Sequence, residues 1–242
     1  MKMLSGSSKS PSYPIRGDTL AEQIYRQLTR AILSGSFAPE ERVTIRQNAD
    51  EMGVSVTPVR EAIQRLVSEG VLHLTDKNAI IVPNRTEPEI QEIFDIRRVL
   101  EGDMAATAAP LLTDDDTAFL ARTHEIYLDA LDMENFKEAL RLNAQFHFHI
   151  YQRADLPVRL KFAEGLWLRI GPSLRHMYPT LQRERTDHRR HEAIIESAAR
   201  RDPAALRAAI VADLDSSQHA LNNYVRDYAR DARPGRVRRR AQ

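Results

Sequence analysis

The chain has 242 residues, 42% of them apolar and 29% charged, with a net charge of +1. That is the make-up of an ordinary globular protein with room for two domains, and it excludes a disordered or fibrous chain. Cysteine is absent, which excludes disulfides and thiolate metal sites. No apolar run approaches the roughly 20 residues of a membrane span, and the polar start MKMLSGSSKS is no signal peptide, so the expectation is a cytoplasmic chain without a membrane partner.

The charge is uneven. Residues 17–83 hold seven Arg or Lys against nine Asp or Glu, while Lys2, Lys9 and Arg16 sit at the start and Arg233, Arg236, Arg238, Arg239 and Arg240 at the end. Either end can touch phosphate or simply lie solvated. Residues 1–16 read as a disordered arm and 231–242 as a basic tail.

From Asp18 the pattern is helical. Leu20, Ile24, Leu28 and Ile32 recur every four residues, and Ser34-Gly35-Ser36 ends the run. Thr44 with Gln47 predicts a capping box for a second helix through Met52, and Gly53 supplies a tight turn. Thr57-Pro58 predicts the cap and first position of a third helix, with Val59, Ala62, Ile63, Leu66 and Val67 as its buried stripe and Gly70 as its end. Residues 71–74 and 79–82 are β-prone, and Thr75-Asp76-Lys77-Asn78 between them predicts a hairpin. Helix, helix, turn, helix, hairpin is the order of a winged helix-turn-helix. The domain expected there spans 17–83, followed by a polar linker over 84–88 bracketed by Pro83 and Pro88.

Beyond the linker nothing reads as strand. Helical segments are expected at about 89–109, 113–132, 134–154, 156–178, 181–201 and 203–230. Long helices with short connections pack as an antiparallel bundle, so the fold class expected is mainly α, with an all-helical domain over 89–230.

A helix-turn-helix drives the start of its second helix into the major groove. Val59 and Ala62 face inward, so Arg60 faces out, where a guanidinium can reach a guanine edge. Ser55 and Thr57 lie where a phosphate would sit, with Pro58 beside them in the DNA-binding set; Arg46 and Arg65 are further backbone candidates, and Lys77 and Asn78 at the hairpin tip can enter the minor groove. A salt bridge to a neighbour such as Glu61 is the alternative role for Arg60.

In the bundle, Asn143 and His147 share one helix face. His191 lies eleven residues before Asp202 and Asp213 eleven after it, so an antiparallel hairpin turning at Asp202-Pro203 brings them to one height. Two imidazoles, a carboxylate and an amide oxygen suit zinc, nickel, manganese or iron. Core histidines with ordinary hydrogen bonds are the alternative. His149, two residues on from His147, points elsewhere.

Residues 20–83, with VSVTPVREAIQRLVSEGVL at their centre, resemble the N-terminal domain of the GntR family of regulators. Val56 stands where that family places a base-reading Arg, Ala79 replaces a wing Gly, Asn48 an apolar residue and Glu41 the Gly of a turn. Residues 89–226 resemble the FCD ligand-binding domain of the FadR subfamily, in its six-helix VanR-type branch. The resemblance is carried by Ile96-Arg97-Arg98-Val99-Leu100-Glu101, by Ala105-Ala106 and Ala108-Ala109, by Asn143-Ala-Gln-Phe146-His147, and by His191. It implies metal ligands at Asn143, His147, His191 and Asp213, with the family's Asp and final His exchanged for Asn143 and Asp213. The result is either a compensated metal site or one that binds an effector directly.

The resemblance also implies that Arg97 holds an effector carboxylate, with a salt bridge to Glu101 as the alternative, and that Arg169, His176 and Tyr178 line the same cavity. The chain it describes is a ligand-responsive repressor, binding operator DNA as a homodimer and responding to a small organic acid. In that mechanism, effector binding shifts the linker near Pro83–Pro88 and the spacing of the two readers. Two rivals are a metal-dependent helical enzyme and a regulator with a non-functional sensor pocket.

Overall fold

The computed structural model describes residues 18–174 and 186–231, with side chains described over 18–174 and 189–226. The expected arm at 1–16, the basic tail, His176 and Tyr178 lie outside the described residues.

The head begins with α1 (Leu20–Leu33), opened by a capping box between Thr19 and Glu22. Its buried face is Ile24, Tyr25, Leu28 and Ile32; Leu20 is exposed. Helix α2 (Ile45–Met52) starts at Thr44, but the predicted capping box does not form. Gln47 reaches forward to Glu51 Oε1 at 2.9 Å instead. Gly53 closes α2 in the left-handed conformation, φ +65°, which a side chain rarely adopts.

Helix α3 (Val56–Ser68) begins earlier than expected, with Ser55 rather than Thr57 as its cap. The reason is that the first four N–H groups of a helix have no intrahelical partner, so a proline anywhere among them loses nothing. Pro58 therefore marks the first turn without fixing its first residue. Asn48, the polar residue on the buried face of α2, satisfies itself by donating to Thr44 O at 2.9 Å.

Strands β1 (His73–Leu74) and β2 (Ile80–Ile81) pair antiparallel, His73 opposite Ile81, with Asn78 left-handed at the tip. They are shorter than the β-prone runs because Val71 and Leu72 turn their N–H groups back to Leu66 O. The segment before α2 adds to the sheet: Val43 N donates to Ile80 O and Val82 N to Glu41 O. In the turn leading there the left-handed residue is Glu40, φ 66°, while Glu41 closes it by accepting from Ala38 N at 2.7 Å.

Helix α4 (Glu87–Ala108) starts inside the expected linker, because Thr86 and Glu89 form a capping box and Pro88 falls in its first turn. A 3-10 turn, Ala109–Leu111, takes up Pro110. Then follow α5 (Asp114–Asp132), α6 (Phe136–Arg153), α7 (Pro157–Leu174), α8 (Thr186–Ala199) and α9 (Pro203–Asp231). Helix α4 packs on α9, α7 and α6, while α5 packs on α6 and α8. The bundle core includes Phe94, Met104, Leu120, Tyr127, Phe146, Ile170, Ile194 and Leu206. The head has its own core around Leu28, Ile32, Val59, Ile63 and Leu66, and Leu168 of α7 is part of it.

One buried carboxylate fastens α5 to α6. Asp116 accepts from Thr113 N and Oγ1 at 2.9 and 2.8 Å, and faces His149 Nε2 and Arg153 Nε, both at 2.8 Å. Burial pushes its pKa up, but the Thr113, His149 and Arg153 contacts outweigh burial and take it from 3.8 to about 2. Asp116→Asn is expected to cost about 1–3 kcal/mol, read as a lower Tm. Because the folded pKa is depressed, this contribution is complete above pH 3.8 and fades as the pH falls towards about 2. The Tm gap between the two proteins should shrink over that interval. His149 is thus occupied with Asp116 and stacks on Phe119 at 4.2 Å.

Candidate functional site

Two groups of residues carry chemistry, one in the head and one in the bundle. At the start of α3, Ser55, Val56, Thr57 and Arg60 are exposed and Pro58 is half-buried, while Val59, Ala62 and Ile63 on the other face are buried in the head. Ser55 makes no side-chain capping bond. Arg46 on α2 and Lys77 and Asn78 at the hairpin tip are exposed as well. Arg65 is placed differently from the expectation. Its guanidinium lies 3.9 Å from the Tyr25 ring centre and 3.0 Å from Glu69 Oε1, and Tyr25 donates to the other oxygen of Glu69 at 2.6 Å. Two and a half turns separate Arg65 from the start of α3, and the helix carries it to the opposite end, where it braces the head.

In the bundle, His147 of α6, His191 of α8 and Asp213 of α9 are all buried, and one ligand atom of each lies within 4.8 Å of the others. The α8–α9 hairpin brings His191 and Asp213 to the same height, as their equal distances from Asp202 require. Asn143 is half-buried one turn before His147.

Hydrogen bonding fixes how His147 faces the cluster. Arg97 donates to Glu101 from Nε at 2.5 Å and from Nη2 at 3.3 Å. Tyr151 spends its hydroxyl proton on Glu101 Oε2 at 2.7 Å, so toward His147 Nδ1, 3.4 Å away, its oxygen acts as acceptor. Burial first, then the Glu101 charge, hold the Tyr151 phenol well above its ordinary pKa, so it stays a donor. The network favours the proton on His147 Nδ1 and leaves a lone pair on Nε2.

That Nε2 is buried without an aligned hydrogen bond among the described residues and lies 3.4 Å from Asp213 Oδ2. Burial pushes the Asp213 carboxyl up, and only positive charge at the His147, His191 and Arg97 positions outweighs burial and holds it below the ordinary carboxylate value. A lone pair facing a carboxylate repels it unless a proton or a cation lies between them. The donor set fits a divalent transition metal: at roughly 2.0–2.2 Å from a tetrahedral ion, ligand atoms stand about 3.3–3.6 Å apart, a spacing that His147 Nε2 and Asp213 Oδ2 already have at 3.4 Å and that the rest of the set, within 4.8 Å, reaches by closing inward.

Arg97 does not offer a free fork. It is 2% exposed, paired with Glu101, and stacked between Trp167 at 4.4 Å and Phe94 at 4.9 Å. The i+4 carboxylate on its own helix takes the place expected for an effector. Arg169, expected in the same cavity, is exposed and donates to Glu69 O in the head.

Three residues beside the cluster escaped the sequence reading. His124 of α5 is buried with its Nδ1 3.3 Å from His191 Nδ1. It belongs to the stripe Leu120, Thr123, His124, Tyr127, Leu131, whose 3–4 spacing was its only signal. Tyr151 stands one turn after His147, and Trp167 lies with its ring centre 5.5 Å from that of His147.

Residues 20–82 match the family described as bacterial regulatory proteins, gntR family, and residues 92–216 match the FCD domain. The chain belongs to the GntR family. The transcriptional regulator McbR of Escherichia coli (strain K12) is 32% identical over 163 residues, 67% of this chain and 74% of McbR. The solved structure of E. coli McbR/YncC superimposes with a TM-score of 0.80 at 27% identity, covering 86% of this chain and 99% of that one. The repressor GlaR of E. coli (strain K12) is 27% identical over 162 residues, 60% of this chain and 72% of GlaR. This GntR protein is therefore a DNA-binding transcription regulator with a ligand-binding FCD domain, not an enzyme. No described helix is long and apolar enough to cross a membrane.

Proposed function

We propose that this GntR regulator is a repressor whose FCD domain holds a divalent metal at His147, His191 and Asp213 and through it senses a small organic acid. The observation that carries the reading is the approach of His147 Nε2 to Asp213 Oδ2, two groups that need positive charge between them, beside a second buried imidazole, His191, that a proton on His147 alone would leave unused. With one carboxylate among its ligands the bound ion keeps a net positive charge, and its open positions attract an anionic oxygen. Asn143, half-buried one turn before His147, can add an amide oxygen. Arg97 acts through Glu101 and Tyr151 to orient His147, a role that outer partners of metal ligands commonly play.

Operator DNA is read in the cytoplasm by the start of α3, with Arg60 on a guanine edge and Ser55, Thr57 and Pro58 against a phosphate. Arg46, Lys77 and Asn78 make the flanking contacts. Val56, 38% exposed at the start of α3, suits a thymine methyl. The regulator acts as a homodimer on a two-fold operator. Support for that comes from Ile96 and Val99 of α4 and Val158 and Phe162 of α7, large apolar side chains between 44% and 70% exposed on two helices packed together. The domains that do this are the head over 17–83 and the bundle over 89–230, with Arg85 in the short connection.

Calorimetry of zinc into the metal-stripped full chain tests the reading. One ion per chain is expected, and Tyr151→Phe, which removes the group that orients His147, should weaken binding by about ten- to a hundredfold. A heatless titration with zinc, nickel and manganese alike would sink it.

A further inference from the structure

Helix α7 touches both the buried cluster and the head, through consecutive residues. Successive side chains on a helix point about 100° apart, so three in a row face three ways. Trp167 faces the bundle, 3% exposed, under the Arg97 guanidinium and beside the His147 ring. Leu168 is buried in the core of the head with Ile32 and Leu66. Arg169 donates to Glu69 O from Nε at 3.1 Å and from Nη2 at 2.9 Å.

Glu69 is the C-cap of α3, and the last carbonyls of a helix carry partial negative charge without an intrahelical donor. The guanidinium of Arg169 therefore caps the helix whose other end presents Arg60. Gly70 makes room for it: its φ is +69°, and a Cβ there would stand 3.3 Å from Arg169 Nη2. Arg85 reinforces the junction, donating to Gly70 O at 2.6 Å and to Arg169 O at 3.4 Å. Two residues after Arg169, Gly171 lets α7 meet the end of α1, for a Cβ there would lie 3.2 Å from Ile32 O. At the sensor side, Trp167 Nε1 is buried without a hydrogen bond among the described residues, a donor that a change in the site can recruit.

We propose that α7 couples the His147–His191–Asp213 site to DNA reading, registering occupancy at Trp167 and moving α3 through Leu168 and the Arg169 cap. This rests on the site being a ligand-sensing centre. It assigns the coupling to a packed helix, where the sequence pointed to the linker near Pro83–Pro88.

The test uses the full chain, zinc as the probe, and a duplex selected from a random pool by the wild-type protein. Trp167 is the chain's only tryptophan, so its emission reports the site directly. In the wild type zinc should change the emission and shift duplex affinity by about fivefold or more. Arg169→Ala should keep the zinc midpoint and the emission change, while its affinity shift falls below about twofold. An undiminished shift in Arg169→Ala overturns the coupling, as does zinc that binds the wild type without moving its duplex affinity.

Failure of the site reading looks different: no zinc binds the wild type. Coupling is then read from amide exchange. His147→Ala should alter protection at Glu69–Leu72 in the wild-type background and leave it unchanged beside Arg169→Ala. No change in either background overturns the proposal.

Discussion

Arg60→Ala is expected to bind operator DNA at least tenfold more weakly than the wild type, in a gel-shift titration at fixed salt. The expectation follows from geometry. Arg60 is exposed on the first turns of α3 while its neighbours Val59, Ala62 and Ile63 are 0–2% exposed and lock the helix to the head. So rigid a base brings the guanidinium to the groove without any reordering of the helix that carries it. A bidentate contact of that kind is worth roughly 1–3 kcal/mol, the lower part of which is tenfold. Arg60→Lys keeps the charge without the fork, so it should retain non-specific binding and lose discrimination at one base pair. Equal operator affinity in the wild type and Arg60→Ala would remove Arg60 from the reader.

Glu101→Ala is expected to destabilise the fold by about 3–5 kcal/mol in chemical denaturation, because it strands a buried guanidinium. Arg97 is 2% exposed and Glu101 fully buried, and their pairing is also what Tyr151 hydrogen-bonds to. Replacing both partners together, Arg97→Met with Glu101→Met, removes the charge along with its counter-charge and should recover most of the loss. The double variant should still bind zinc more weakly, since Tyr151 then has no acceptor to hold it against His147. Should the double variant be no more stable than Glu101→Ala, the pair is not what makes the single replacement costly.

Much of the architecture was legible because it is local. The four-residue recurrence in α1 and the left-handed Gly53 and Gly70 at the ends of α2 and α3 are each decided within one turn of chain. The equal spacing of His191 and Asp213 about Asp202 also carries over into space, since an antiparallel helical hairpin preserves height. Local rules misled where several positions are equivalent. A proline is tolerated throughout the first turn, so Thr57-Pro58 did not mark the true start of α3. Gln47 had a carboxylate one turn ahead and took it in preference to the cap.

What the sequence by itself determined was the order of the elements, the outward set of α3 and the shared height of the two residues that flank Asp202. Periodicity and turn chemistry are properties of neighbours along the chain. Only the tertiary structure decided that Arg97 is spent on Glu101 and stacked on Trp167, that His124 meets His191, and that Arg65 and Arg169 brace the head. The contacts between helices depend on which of them pack side by side and at what rotation. The i+4 spacing offered Arg97 and Arg65 a carboxylate on their own helices, but only the packing that buries Arg97 and sets Tyr25 over Arg65 decided that they take it.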